Sequence, residues 1–247
     1  MVCKGAVFLT SQDGNVTVEE QKVRVWDLPT RLFHWFLLAG VITSFITVKL
    51  GGNAMVWHGR AGTFVLSLLV FRLVWGFIGS PTARFHSFVK GPKTIWRYLQ
   101  GRSVKQVSIG HNPLGALSVL ALLGIFLLQA LTGLGTSDDI FFDGPLVQAL
   151  NSDTVSRLTS LHKSTEPFLI ALVALHVAAI AFYRLVKKTN LVRPMITGMK
   201  NVKTQTGISK SLDDTDDPQQ GITEGPGLWF KALVCWLASL AIVSSLG

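Results

Sequence analysis

Long apolar segments alternate with polar and charged ones along this chain. A bilayer crossing needs about 20 mostly apolar residues, and five segments reach that length. They lie at about residues 31–50, 57–79, 112–135, 162–186 and 227–246. The hydropathy pattern therefore predicts an all-α integral membrane protein with five transmembrane helices.

The charges between the spans predict which side of the membrane each loop faces. The loop between the second and third spans carries six basic residues and no acidic one, whereas the next loop carries four aspartates and one arginine. Short loops rich in lysine and arginine usually stay on the cytoplasmic side of the membrane. We therefore expect a multi-pass protein with its N-terminus in the cytoplasm and the aspartate-rich loop, at about 136–161, outside.

The polar segments set the expected domain boundaries. Residues 1–21 contain many polar residues, and residues 191–226 include a polar, acidic stretch typical of flexible segments. The sequence thus predicts a flexible cytoplasmic tail over 1–21 and a cytoplasmic linker over 191–226. Between them lies the transmembrane domain, residues 22–190, and a C-terminal transmembrane helix follows at 227–247.

The composition narrows the class of protein. Apolar residues make up 49% of the chain and charged ones 15%, against about 25% charged in soluble domains. The net charge of +9 does not indicate nucleic-acid binding, because no folded soluble module carries the basic residues. The two cysteines, Cys3 and Cys235, lie far apart and predict neither a disulfide framework nor a thiolate metal site.

Four of the six histidines fall in the predicted spans. His34 lies on the cytoplasmic side of the first span, and His58 and His162 lie on the outer side of the second and fourth. His176 follows His162 by fourteen residues, which is about 21 Å along a helix and within about 40° of the same face. Depth therefore pairs His34 with His176, and His58 with His162.

Two histidines at one depth on different helices can hold a haem b between them. Ligation by two imidazoles leaves no open position on the iron, which suits electron transfer rather than oxygen binding. The two levels predict two haem b groups. A single membrane histidine is often only an interfacial or hydrogen-bonded helix residue, and that alternative stays open for His58 and His162 taken singly.

The remaining histidines and Pro167 are interpreted more simply. His86 and His111 lie in or beside the basic loop and are expected to be interfacial. A zinc or copper site is disfavoured, because the histidines lie at two depths without a cysteine cluster. Pro167 follows His162 by five residues; it either bends a helix that already includes His162 or lies near the start of that helix.

Two arginines are candidates for contacts with the haem groups. Arg72 interrupts an apolar run fourteen residues after His58, at the depth of the inner haem. A buried arginine needs an anion, and a haem propionate suits a guanidinium group; the alternative is that Arg72 extends to the lipid headgroups. Arg60 is the corresponding candidate at the outer level.

Other residues near the span ends are expected to mark the membrane surface. Trp57, Trp75 and Trp229 lie where an aromatic belt forms. Arg31, which precedes His34, is expected to be an interfacial anchor.

Four motifs occur in order along the chain: VRVWDLPTRLFHW, WHGRAGTFVLSLLVFRLVWG, GHNPLGALSVLALL and the histidine pair of the fourth span. Together they resemble the prokaryotic cytochrome b561 family, which includes the cytochrome b subunits of nickel–iron hydrogenases. The resemblance covers about residues 22–190. It implies a four-helix transmembrane haem-binding bundle, to which the fifth helix is added, with haem ligation by His34, His58, His162 and His176.

The resemblance also implies a function. Family members exchange electrons between membrane quinone and a redox partner, such as a periplasmic cytochrome c or a hydrogenase, in the respiratory chain of the bacterial inner membrane. One alternative is a quinone-linked oxidase of a small molecule such as superoxide, which the acidic outer loop disfavours. The other is a haem-free transporter with histidines along its path, which lacks the support of an inverted repeat.

Overall fold

The computed structural model describes residues 17–89, 91–100, 113–140, 142–206 and 225–245. Two strands and a series of helices make up most of these residues. In chain order they are β1 (Thr17–Arg24), α1 (Leu28–Leu50), α2 (Met55–Ile78), α3 (Phe85–Phe88), α4 (Pro92–Leu99), α5 (Pro113–Gly133), α6 (Ser152–Leu185), α7 (Val192–Thr197), β2 (Met199–Thr206) and α8 (Pro226–Ser244).

Five of the helices are long and apolar enough to cross a membrane: α1, α2, α5, α6 and α8. They confirm the predicted all-α integral membrane fold. The spans also alternate in direction, because the contacts described below place α1, α5 and α8 antiparallel to α2 and α6. The two ends of the bundle are named here the His34 end and the His58 end.

Helix α6 differs most from its predicted span. It begins at Ser152, ten residues before the apolar run. Asn151 is its N-cap and accepts a hydrogen bond from the backbone N–H of Thr154 at 2.9 Å. Its 34 residues extend about 51 Å at 1.5 Å per residue, whereas the hydrocarbon core is about 30 Å thick. The helix therefore projects beyond the bilayer, it already includes His162, and Pro167 lies in its interior.

Helix α2 occupies the centre of the bundle. It packs against α1, α5 and α8, whereas the principal helix partner of α6 is α5. In the most apolar part of the second span 56% of the residues are buried, against 6% in the fourth. Helix α6 is therefore peripheral, although it carries two of the candidate ligands.

Helix α8 packs along α2 through small side chains. Cys235 lies with its Sγ 3.9 Å from the carbonyl oxygen of Phe71, and Ser239 is 1% exposed. Further along, Val243 joins Leu66 of α2 in a second apolar cluster. Since residue numbers rise along α8 as they fall along α2, the two helices are antiparallel.

Regular structure occurs where the sequence predicts a flexible tail and a linker. Strands β1 and β2 pair antiparallel, with Thr17 opposite Thr206 and Arg24 opposite Met199, and α7 precedes β2. This corrects the prediction for residues 17–21 and 192–206. Hydropathy misses such a ladder, because main-chain hydrogen bonds hold it and its sequence contains no long apolar run. Residues 1–16 and 207–224 lie outside the described part of the chain.

Helix α7 is fastened to the start of α1. Arg31 donates from Nη1 to the carbonyl oxygen of Ile196 at 2.6 Å, and Trp35 donates from Nε1 to that of Met195 at 3.2 Å. Arg31 was expected to be only an interfacial anchor; it instead joins two segments 165 residues apart. These bonds flank His34 in sequence and close the His34 end of the bundle.

Candidate functional site

His58 and His162 face each other at the His58 end. Their ring centres are 6.2 Å apart and their planes cross at 87°. A metal–imidazole bond is about 2 Å long, with a further ~1 Å from nitrogen to ring centre, so two imidazoles on one metal have centres about 6 Å apart. The observed separation fits the predicted haem between them.

The second nitrogen of each ring is already engaged. His58 Nδ1 lies 2.9 Å from the carbonyl oxygen of Ser44, and His162 Nδ1 lies 2.9 Å from that of Gln129. A carbonyl oxygen only accepts, so each Nδ1 carries the proton and each Nε2 keeps its lone pair. This arrangement orients imidazole ligands in metalloproteins, and it leaves each Nε2 as an acceptor that could bind a metal in place of a hydrogen bond.

Gln129 and Thr165 support His162, and sequence reasoning missed both. The Gln129 side chain donates to the carbonyl oxygen of His162 at 3.1 Å and accepts from the Thr165 hydroxyl at 2.5 Å. Its amide nitrogen also lies 3.4 Å from His162 Nε2. A polar side chain in the apolar run of α5 was the available signal, since buried polar groups need partners.

The pair lines a cavity between α1, α2, α5 and α6. The cavity has a volume of about 200 Å³. Gly62 lies one turn after His58 and lines it, and a Cβ there would meet no atom within 4 Å. A Cβ at Gly133 would lie 3.1 Å from His162 Cε1. Glycine at these positions keeps space beside the imidazoles for a flat group.

His34 and His176 occupy the other level. His34 is on α1 and His176 is on α6. They are close enough for a charge on His176 to act on His34. His34 Nδ1 is buried without a hydrogen-bond partner among the described residues, and the ring meets Trp35 edge-on at 5.3 Å. A buried ring nitrogen without a partner is unusual in a folded protein. The structure thus brings the predicted partners to the same level.

A buried polar cluster lies beside this level. Asp27 and Trp75 are 0% exposed and Arg72 is 3% exposed. Asp27 Oδ2 accepts from Trp75 Nε1 at 3.1 Å, and the carboxylate lies within electrostatic range of Arg72. Trp75 is therefore an interior residue rather than part of the predicted aromatic belt, whereas Trp57 and Trp229 are 58% and 40% exposed.

The Arg72 side chain points into the protein rather than towards the headgroups. Its Nη2 donates to the carbonyl oxygen of Ala83 at 3.1 Å, and its guanidinium group lies 4.9 Å from the centre of the Phe85 ring. Its Nη1 is buried without a partner among the described residues. Arg72 therefore keeps one donor for a further acceptor.

Arg60 does not join the cavity. It is exposed and lies 5.0 Å from the centre of the Trp57 ring, and the lining residues do not include it. The charged side chains that line the cavity are Asp138, Lys163 and Glu166. The physical reason is helix phase, since Arg60 is two residues from His58 and points to a different side of α2.

The other predicted residues lie away from the two levels. His86 is exposed on α3, and His111 is outside the described residues. No group of three or more His, Cys, Asp or Glu residues in the described ranges could hold a metal ion. The described histidines thus offer two separate pairs.

Comparisons with known proteins identify the family of this chain. A probable Ni/Fe-hydrogenase B-type cytochrome subunit from Azotobacter chroococcum mcd 1 is 26% identical over 232 residues, covering 79% of this chain and 95% of the relative. A protein of the same description from Rhizobium leguminosarum bv. viciae is 25% identical over 148 residues, covering 49% of this chain and 62% of the relative. No solved structure shows a significant match. The family model of prokaryotic cytochrome b561 matches residues 25–198, and the chain therefore belongs to that family.

Proposed function

We propose that this protein is a di-haem b-type cytochrome that carries electrons in the bacterial inner membrane between the quinone pool and a redox partner. The observation that carries the proposal is the pair of imidazoles at His58 and His162, with ring centres 6.2 Å apart and each Nδ1 bonded to a carbonyl oxygen. A bound haem b would supply a one-electron iron couple. Membership of the cytochrome b561 family supports it.

The second haem would be held by His34 and His176. Three observations support this assignment: the two residues lie within electrostatic range, His34 Nδ1 is unpartnered, and Arg72 has a free Nη1. Arg72 follows His58 by the same fourteen residues that separate His162 from His176. Arg72 would therefore donate from Nη1 to a propionate at this level, with Asp27 offsetting part of its charge.

The partner would dock at the His58 end. The loop there carries four aspartates and one arginine between residues 136 and 161, and the basic loop at the opposite end favours its placement outside. A hydrogenase is the first candidate, since both relatives are described as hydrogenase subunits; a periplasmic cytochrome c is the second. An acidic surface attracts a basic partner, and quinone would react near the other haem.

Haem content tests this function. Quantifying haem per purified polypeptide by its pyridine haemochrome should give a value near two. His58→Ala should lower it to near one, while His86→Ala, which changes an exposed histidine outside the spans, should leave it near two. A wild-type value near one would overturn the two-haem assignment, and a value near zero would overturn the cytochrome itself.

A further inference from the structure

The loop between α5 and α6 contributes an aromatic ring to the wall of the His58–His162 cavity. Phe142 lines that cavity. Its ring also lies directly against Gly59, the residue after His58, because a Cβ added at Gly59 would collide with the ring atoms. The loop therefore reaches back from α6 to the first turn of α2.

Side-chain hydrogen bonds hold Phe142 in this position. The Asp138 carboxylate accepts from the backbone N–H of Phe142 at 2.7 Å and from that of Ile140 at 3.1 Å. The backbone N–H of Asp138 donates back to the carbonyl oxygen of Phe142 at 3.0 Å. Bonds of this kind define tight loops without regular secondary structure. Asp138 thus shapes the loop in addition to any role on the surface.

A second set of bonds fixes the base of the loop. The Ser137 hydroxyl donates to Asp143 Oδ1 at 2.5 Å and accepts from the backbone N–H of Asp139 at 3.0 Å. The Ser137 N–H donates to the hydroxyl of Thr159 on α6 at 3.3 Å. Since α6 also carries His162, the loop and that imidazole share one rigid support.

Phe142 separates two different environments. On one side is the largely apolar cavity between the histidines. On the other is a more polar pocket, whose lining includes five serine or threonine side chains together with Asp139, Asp143 and Lys163. Phe142, Ser137 and Lys163 line both spaces, and Phe142 is the apolar member of that wall.

We propose that Phe142 seals the His58–His162 site against water from the polar pocket and so raises the reduction potential of the group bound there. This inference rests on the proposed function. Water near a haem raises the local dielectric and favours its more highly charged oxidised state, which lowers the potential. Phe142 is thus a positioning residue of the outer site, while His58 and His162 are its ligands.

A redox titration of the purified, haem-loaded protein tests the seal. Phe142→Ala should lower the midpoint potential of the component that His58→Ala removes, and should leave the other component unchanged. Phe142→Leu keeps an apolar side chain and should therefore leave the potential close to that of the wild type. Ile140→Ala is the matched control, because Ile140 is in the same loop and 78% exposed; it should change neither potential.

Gly59→Ala provides an independent route to the same effect, since the added Cβ would displace the Phe142 ring without altering it. It should lower the same potential, and it decides the question if Phe142→Ala loses its outer haem. An unchanged outer potential in the haem-loaded variants, or an equal shift in Ile140→Ala, would overturn the seal. A wild-type protein without two redox components would instead overturn the proposed function.

Discussion

Replacing Asp27 by alanine should destabilise the His34 end more than any ordinary capping change. Asp27 is 0% exposed and has three roles. Its Oδ1 accepts the backbone N–H of Thr30 at 2.7 Å as the N-cap of α1, its Oδ2 accepts Trp75 Nε1 at 3.1 Å, and its charge faces Arg72. Alanine would remove all three interactions at once.

The magnitude follows from these losses. A lost N-cap costs about 1 kcal/mol, and a buried N–H without an acceptor, here that of Trp75, costs about 1–3 kcal/mol. Loss of the attraction to the Arg72 guanidinium group adds to these costs. The three terms share one site and do not add fully, so we expect Asp27→Ala to lose about 2–4 kcal/mol.

Thermal unfolding in detergent micelles, followed by circular dichroism, would measure the loss. Asn151→Ala is the matched control, because Asn151 also caps a transmembrane helix but is exposed; it should lose only about 1 kcal/mol. The double variant Asp27→Ala/Arg72→Met removes both charges. It should be more stable than Asp27→Ala alone, since the uncompensated guanidinium group is gone.

Two results would refute this reasoning. If Asp27→Ala were no less stable than Asn151→Ala, the carboxylate would act only as a helix cap. The second result concerns additivity. If Arg72→Met lowered the stability of the Asp27→Ala variant by as much as it lowers that of the wild type, the two charges would not interact. In either case the polar cluster would not be a charge pair.

Three further predictions concern the two histidine levels and the acidic loop. His58→Ala and His162→Ala should each abolish the same redox component and retain the other, as seen in optical redox titrations; loss of different components would contradict the pairing. Arg72→Leu removes a positive charge and should lower the potential of the other component, whereas an unchanged potential at full haem content would separate Arg72 from that haem. Asp139→Asn should slow electron transfer to a basic partner at low salt and have little effect at high salt, where charges are screened. A transfer rate that depends neither on the substitution nor on the salt concentration would exclude electrostatic steering.

The two histidine levels could be predicted because helix geometry is regular. A rise of about 1.5 Å per residue and 3.6 residues per turn convert sequence spacing into depth and face, so the sequence alone pairs His58 with His162. The start of α6 could not be predicted in this way. Seven of its first ten residues are polar, and hydropathy detects the part of a helix that lies in the membrane rather than its full length.

The polar cluster at the His34 end shows a different limit. The sequence Asp-Leu-Pro before an apolar run is a recognisable helix start, so the capping role of Asp27 was accessible. Its contact with Trp75 was not, because that contact depends on how α1 packs against α2. Tryptophan near a span end usually lies at the membrane surface, and packing overrides that tendency here.

The aspartate-rich loop shows the same limit at the other end. From the sequence alone, its aspartates cannot be told apart from ordinary solvent-exposed charges. In the structure Asp138 and Asp143 accept hydrogen bonds from their own loop, whereas Asp139 is exposed. Bonds from a side chain to a nearby backbone leave no periodic pattern, so such roles emerge only from coordinates.

The contrast between α2 and α6 connects the fold to the proposed cofactors. Helix α2 carries His58 and Arg72 at the centre of the bundle, where its neighbours fix its position. Helix α6 carries His162 and His176, yet Thr165 and Leu169 are its buried residues. Haem bound between the helices would add contacts where α6 has few, and binding free energy of this kind also contributes to folding. The central helix would thus present preformed ligands, while the peripheral helix would gain much of its packing from the haem groups themselves.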